Sequence, residues 1–237
     1  MSKRYSQKQA AARVVREQLA REQRRRRQMW TSLFVVAALV VVGAAGYLIY
    51  TSQRGGDYKT PPSTYKNNVG FVVGSGPKLV EIYLDYQCPI CRNFESQVKD
   101  TTDQLLAANK IKMVYYTVAI LDGSSKNDYS TRAAAASACA AEGGKFPEYN
   151  NALFANQPAE NTAGPADSEL IATGRTVGLG DSFATCVKDG KYTSWTKHVT
   201  DTFEARKLTG TPSVFVDGKQ LSNPTLAAFT TAIGASQ

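Results

Sequence analysis

The sequence is poor in histidine, with one, His198, in 237 residues. It also has no H-E-x-x-H, no G-x-S-x-G, no Walker A loop and no G-x-G-x-x-G. These absences exclude the zinc-protease helix, the serine elbow of α/β-hydrolases, the phosphate loop of NTPases and the dinucleotide fingerprint. His198 itself, in "WTKHVTD", reads as a helix-surface or packing residue rather than a catalyst. "GSG" at 74–76 runs into Pro77 and an apolar stretch, so it is a turn rather than an anion cradle.

Charge is missing from residues 30–50, "WTSLFVVAALVVVGAAGYLIY". A helix of that length spans roughly 30 Å, the thickness of a bilayer's hydrocarbon core. Trp30 stands at one border and Tyr47 and Tyr50 at the other, where amphipathic rings favour the headgroup level. The run is longer than the apolar part of a secretory leader, although "GAAG" at 43–46 offers small residues to a peptidase. The expectation is an uncleaved transmembrane anchor over 30–50.

The formal net charge is +8, and residues 1–28 account for all of it with ten Lys/Arg against Glu17 and Glu22. The rest of the chain is balanced, with 18 residues of each sign. A basic flank ending in "RRRR" at 24–27 predicts a cytoplasmic tail over 1–29 and an extracytoplasmic remainder. The same charge suits anionic lipid headgroups better than nucleic acid, because it abuts the apolar run and the large domain is neutral. Residues 51–68, rich in Gly, Pro, Ser and Thr, read as a linker. Residues 69–237 are enough for one domain with its own core.

That domain opens with strands. "GFVVG" (70–74) and "KLVEIYLDY" (78–86) are apolar, β-branched and aromatic, with Gly-Pro between them. A helix is expected from the cysteine pair through "RNFESQVKDTTDQLLAAN", and a strand over "IKMVYYTVAI" (111–120), which together make a βαβ unit. Five helices follow, the first Ala-rich at 130–144 and another from Phe146 with Pro147 in its first turn. A third is capped by Asp167 or Ser168. "PSVFVDG" and "KQL" then return to β structure, and a final helix begins on Pro224. The pattern is α/β, with a helical insertion at about 128–207 set into a β-α-β…β-β-α frame.

There are four cysteines, Cys88, Cys91, Cys139 and Cys186, and the expected compartment permits disulfides. Cys88 and Cys91, in "DYQCPICRN", fall at the strand-to-helix junction. Unpaired N–H groups and the helix dipole stabilise a thiolate there, and Pro89 suits a helix start. Cys88 is then the nucleophile and Cys91, one turn in, the resolving thiol. The competing readings of this pair are half of a zinc site or a purely structural element. Cys139 and Cys186 lie in two different predicted helices and read as a structural disulfide, with a second, electron-relaying redox pair as the alternative.

"YLDYQCPIC", the Ala-rich helices with "KFPEYNNALFANQP", and "GTPSVFVDG" resemble, in that order, the DsbA-like thiol:disulfide oxidoreductases of the thioredoxin superfamily, in their membrane-anchored actinobacterial and Gram-positive form. The resemblance spans 70–237 and implies a thioredoxin-like fold with an inserted helical domain, preceded by one transmembrane helix. It implies Cys88 and Cys91 as the redox-active pair, Pro212 as the cis-proline facing them, and Thr211 as a backbone and hydroxyl partner near the sulfur. Asp85 matches an acidic position beneath the site, as proton acceptor for Cys91 or as a mere surface or strand-end carboxylate. No cofactor or metal is implied. The partners implied are reduced secreted proteins and a vitamin K epoxide reductase-like membrane reoxidase. One departure stands out: strong oxidants of the family often carry His between the cysteines, and here Pro89–Ile90 supplies no such charge. The expected function is oxidation of secreted proteins, with isomerisation or reduction, as in cytochrome maturation, or a non-enzymatic thioredoxin-like binding module as alternatives.

Overall fold

In a computed structural model of the chain, the residues described are 29–31, 33–47, 58–62 and 64–234. The expected cytoplasmic tail lies outside these residues except for Met29, as do residues 48–57, which hold the end of the expected anchor and the start of the linker. The chain divides into two units, Met1–Gly56 and Asp57–Gln237.

The first unit contains helix α1, Met29–Tyr47, of 19 residues with a mean hydropathy of 2.1. At about 1.5 Å per residue this is long and apolar enough to cross a membrane. Its large side chains, such as Leu33, Phe34, Leu39 and Val42, are exposed around the helix, a pattern that suits lipid rather than water.

The second unit is built on a six-stranded sheet of order β1-β2-β4-β3-β5-β6. The strands are β1 Thr64–Tyr65, β2 Val69–Val73, β3 Lys78–Leu84, β4 Ile111–Thr117, β5 Ser213–Val216 and β6 Lys219–Gln220. Only β3 and β4 run parallel, in register from Lys78↔Ile111 to Leu84↔Thr117. Their crossover is helix α2, Pro89–Ala107, which turns Cys91, Phe94, Val98 and Thr102 inward at helical spacing. Both central strands stop short of the expected ends. The chain leaves β3 at Asp85, whose carbonyl accepts Cys88 N–H in a tight turn, and leaves β4 because Leu121 N–H is drawn to the Asp85 carboxylate.

Between β4 and β5 stand α3 Tyr129–Glu142, α4 Phe146–Ala155, α5 Asp167–Thr176, α6 Asp181–Lys188 and α7 Thr193–Ala205; α8 Leu226–Ile233 closes the fold. The alanines of α3 have a steric purpose. Ala133 to Ala136, Ala138 and Ala140 are all buried, so this helix is enclosed on most sides and small residues let its neighbours approach. The insertion is sewn to the sheet by aromatics. Phe71 of β2 lies 4.4 Å from Phe146 and 5.0 Å from Trp195 between ring centroids, and Trp195 Nε1–H donates to Asn68 O at 2.7 Å.

Two helix starts differ from expectation. The cap of α5 is Ala166, whose N–H donates to Glu169 Oε2 at 2.7 Å, while Asp167 is occupied by Arg132 at 2.8 Å. Pro224 precedes α8 rather than beginning it, because Thr225 Oγ1 accepts Ala228 N–H at 3.2 Å as the cap and sets the first helical residue at Leu226, two positions later.

Candidate active site

Cys88 is the N-cap of α2, with extended backbone at φ −75° and ψ 114°, and Pro89 takes the first helical position. Proline suits that position because the missing N–H would have had no partner there. The geometry aims the Cys88 sulfur back over the open end of the helix, where Cys91 N–H donates to it at 3.4 Å. Both thiols are free. Cys88 is 5% exposed and Cys91 is sealed at 0%, while Ile90 between them is 64% exposed.

Just before β5, the strand paired with β3, the Thr211–Pro212 peptide, which is cis, approaches the same sulfur. Cys88 Sγ lies 3.3 Å from Thr211 O and donates to it as a thiol. The Cys88 thiol is pulled down to about 6, chiefly by a hydrogen bond from the Cys91 thiol, against burial. The Thr211 side chain and the backbone N–H groups of Cys91 and Ile90 add to the pull. Burial pushes Cys91 the other way, well above the usual thiol range, and the adjacent Cys88 pushes further. The pair thus divides into a nearly buried anion at Cys88 and a fully buried, protonated thiol at Cys91.

Asp85 is not a strand-end surface carboxylate, because it is fully buried. Its two oxygens accept from Gln87 N–H at 2.9 Å, Leu121 N–H at 2.9 Å and the Ser130 hydroxyl at 2.6 Å. Burial still carries its pKa up to about 6, against those three bonds. The group of Asp85 that reaches Cys91 is its backbone, not its carboxylate. The carboxylate instead joins the active-site turn, the loop after β4 and the first inserted helix.

Two further groups carry no signal in the local sequence. Glu95, one turn beyond Cys91, accepts from Asn150 Nδ2 at 3.1 Å, and Asn150 Oδ1 accepts from the Tyr86 hydroxyl at 2.9 Å. Its other oxygen is buried with no hydrogen-bond partner among the described residues, and burial raises its pKa to about 7. Gln157, just past α4, donates to the carbonyls of Tyr86 and Cys88 at 3.0 and 2.9 Å. Cys139 and Cys186 are bonded to each other at 2.03 Å, which withdraws both from any four-thiolate metal site. Among the described residues no group of three or more His, Cys, Asp and Glu is placed to hold a metal ion.

The buried carboxyls make stability depend on pH. A carboxyl whose folded pKa is raised holds its proton more tightly in the folded state, so stability is greatest in acid and falls as pH rises through the window. For Glu95 that window runs from about 4.5 to about 7. Glu95→Gln keeps an acceptor for Asn150 and removes the buried charge. In the oxidised protein, where Cys88 does not titrate, it is expected to stabilise at pH 8 by up to roughly 3 kcal/mol and to flatten the acid-side slope. Urea titrations of both proteins between pH 4 and pH 8 check this, and parallel curves would refute it.

A family model described as Thioredoxin matches residues 68–235. The chain belongs to the thioredoxin family. Within that family it sits among the DsbA-like thiol:disulfide oxidoreductases. It is similar to reduced DsbG of Mycobacterium tuberculosis, at 31% identity and a TM-score of 0.61 over 76% of this chain and 83% of that one. Oxidised DsbA of the same organism matches at 32% identity and a TM-score of 0.60, over 76% of this chain and 88% of that one. MdbA of Actinomyces oris, at 21% identity and a TM-score of 0.63 over 77% and 92%, shares the fold. Among curated proteins, the serine/threonine-protein kinase PknE of M. tuberculosis is 32% identical over 169 residues, 66% of this chain and 30% of its own length. The chain therefore spans under a third of the length of the curated relatives it matches.

Proposed function

We propose that the protein is a membrane-anchored, extracytoplasmic oxidase that introduces disulfides into secreted proteins through Cys88 and Cys91. The observation that carries this reading is the Cys88 sulfur at the amino end of α2, taking the Cys91 N–H and ionising at about 6. A substrate thiolate attacks Cys88 Sγ of the Cys88–Cys91 disulfide. The Cys91 sulfur leaves with the electron pair and takes a proton, giving a mixed disulfide on Cys88. The substrate's second thiolate then attacks its own bridged sulfur, and Cys88 departs as a thiolate. Substrate loses two electrons, and the enzyme's pair gains them. A vitamin K epoxide reductase-like membrane protein is the proposed acceptor that restores the disulfide. Helix α1 supports the anchor, and the four arginines at 24–27 support a cytoplasmic N-terminus. Exposed Ile90, beside the nucleophile, offers apolar contact to an unfolded substrate.

The depressed Cys88 thiol supports the oxidising direction. A sulfur whose pKa is depressed stabilises the reduced protein at high pH, and that stability is lost as pH falls through about 6. A thiolate favoured in this way stabilises the reduced pair and moves its potential toward oxidising values. The test is the reduction potential of the pair in the full chain, by equilibration with glutathione. The oxidase reading expects a value well above thioredoxin's, about −270 mV, and toward −120 mV. It also expects the reduced protein to outlast the oxidised one in denaturant at pH 8, with the difference vanishing below about pH 6. A potential near −270 mV would make the protein a reductase.

A further inference from the structure

The turn between β3 and α2 has a polar backbone whose partners are known group by group. Cys88 N–H donates to Asp85 O at 3.0 Å and Gln87 N–H to Asp85 Oδ1 at 2.9 Å. The Gln87 side chain donates to Ser124 O at 2.9 Å. The carbonyls of Tyr86 and Cys88 both accept from a single group, the Gln157 side-chain amide, at 3.0 and 2.9 Å. The Cys88 carbonyl also accepts Arg92 N–H at 3.2 Å and so begins the helix. A primary amide has two N–H groups, enough for the carbonyls of Tyr86 and Cys88, the residues on either side of Gln87.

We propose that Gln157 is a positioning residue for disulfide exchange: delivered by the helical insertion, it holds the peptide carbonyls flanking the nucleophile and so keeps the Cys88 sulfur over the amino end of α2. The inference rests on the exchange function proposed above. Its physical basis is the N-cap geometry. The sulfur meets Cys91 N–H only while the Cys88 backbone stays extended, at ψ 114°. Freeing the two carbonyls lets the flanking peptides rotate, takes from Tyr86 O the Gln157 donor and leaves Cys88 O with Arg92 N–H, so less positive charge faces the anion. The other groups at the sulfur are the Cys91 thiol and Thr211, while the Asp85 carboxylate is turned to its own three donors.

The test is Gln157→Met, which keeps length and removes both donors, with Gln157→Ala beside it. Each is made in the full-length chain in detergent. The Cys88 thiolate is titrated by its ultraviolet absorbance and by its alkylation rate. Gln157→Met is expected to raise the titration midpoint by about one unit, which lowers the thiolate fraction at pH 6 about fivefold, with little change in melting temperature. Midpoints within about 0.2 unit of wild type in both variants, in a wild-type chain that does exchange disulfides, overturn the role of Gln157 alone. A wild-type chain with an ordinary thiol and no exchange overturns the proposed function, and this inference with it. Should the variants fail to fold, the wild-type protein still decides: the Gln157 side-chain amide protons must shift in its NMR spectrum at the Cys88 midpoint, and an unresponsive amide refutes the proposal.

Discussion

Cys88→Ser is expected to lower thiol–disulfide exchange at least a thousandfold, and Cys91 is expected not to rescue it. A serine hydroxyl does not form a mixed disulfide, so the first sulfur transfer has no acceptor. The remaining thiol is sealed at 0% exposure and pushed well above the usual thiol range, so at neutral pH it presents neither surface nor charge to a substrate. Cys91→Ser leads to a different outcome. The reactive thiolate remains, and it attacks a disulfide-bonded peptide, but no second sulfur stands ready to displace the product. That variant should accumulate a stable mixed disulfide on Cys88. Intact-mass measurement after incubation with oxidised peptide reads both results at once: a peptide adduct on Cys91→Ser and none on Cys88→Ser. Exchange by Cys88→Ser above about a tenth of wild type would move the nucleophile elsewhere and end the proposed mechanism.

The difference between the two sulfurs shows what a sequence can and cannot disclose here. A β-branched run, a C-P-x-C and an amphipathic stretch are local patterns, so the βαβ unit and the helix-end position of Cys88 are legible from residues 78–117. The ends of β3 and β4 are not. Tyr86 and Val118 to Ile120 continue the apolar pattern, but the chain turns away where the Asp85 carboxylate gathers donors from three segments. Those donors come from residues 87, 121 and 130, so the burial of Asp85 is not legible beside a strand end in the sequence. Gln157 lies 69 positions from Cys88 and Asn150 lies 55 from Glu95; both fall within "KFPEYNNALFANQP", which carries the resemblance, but nothing in that stretch says what either side chain touches. Their significance comes from how the insertion docks, a long-range fact that periodicity does not encode. The cap of α5 failed for the opposite reason. Asp167 has the right chemistry for a cap, but Arg132 holds its carboxylate and Glu169 reaches back to Ala166 instead.

Removing the Cys139–Cys186 disulfide, with serine at both positions, is expected to destabilise the protein by about 4 kcal/mol, because the bond closes a loop across a separation of 47 residues. For a chain of this size that lowers the melting temperature by about 10 °C. The bond's location sharpens the expectation. It joins the end of α3, buried among alanines, to α6, a helix of 8 residues that is too short to persist without tertiary support. Around it, Glu142 is held by Lys191 at 2.6 Å and by the Tyr192 hydroxyl at 2.9 Å, a polar brace that secures the residues following α6 but not α6 itself. The same variant separates a structural disulfide from an electron relay. A structural bond leaves the Cys88 turn intact below the melting point, so exchange at 20 °C should stay within about threefold of wild type and collapse on warming, as the insertion that carries Gln157 and Asn150 loosens. A relay predicts the reverse, with exchange coupled to reoxidation lost at 20 °C and melting unchanged. Calorimetry and turnover on one preparation distinguish them, and the second pattern would give the inserted helices a chemical role in place of the mechanical one argued for them.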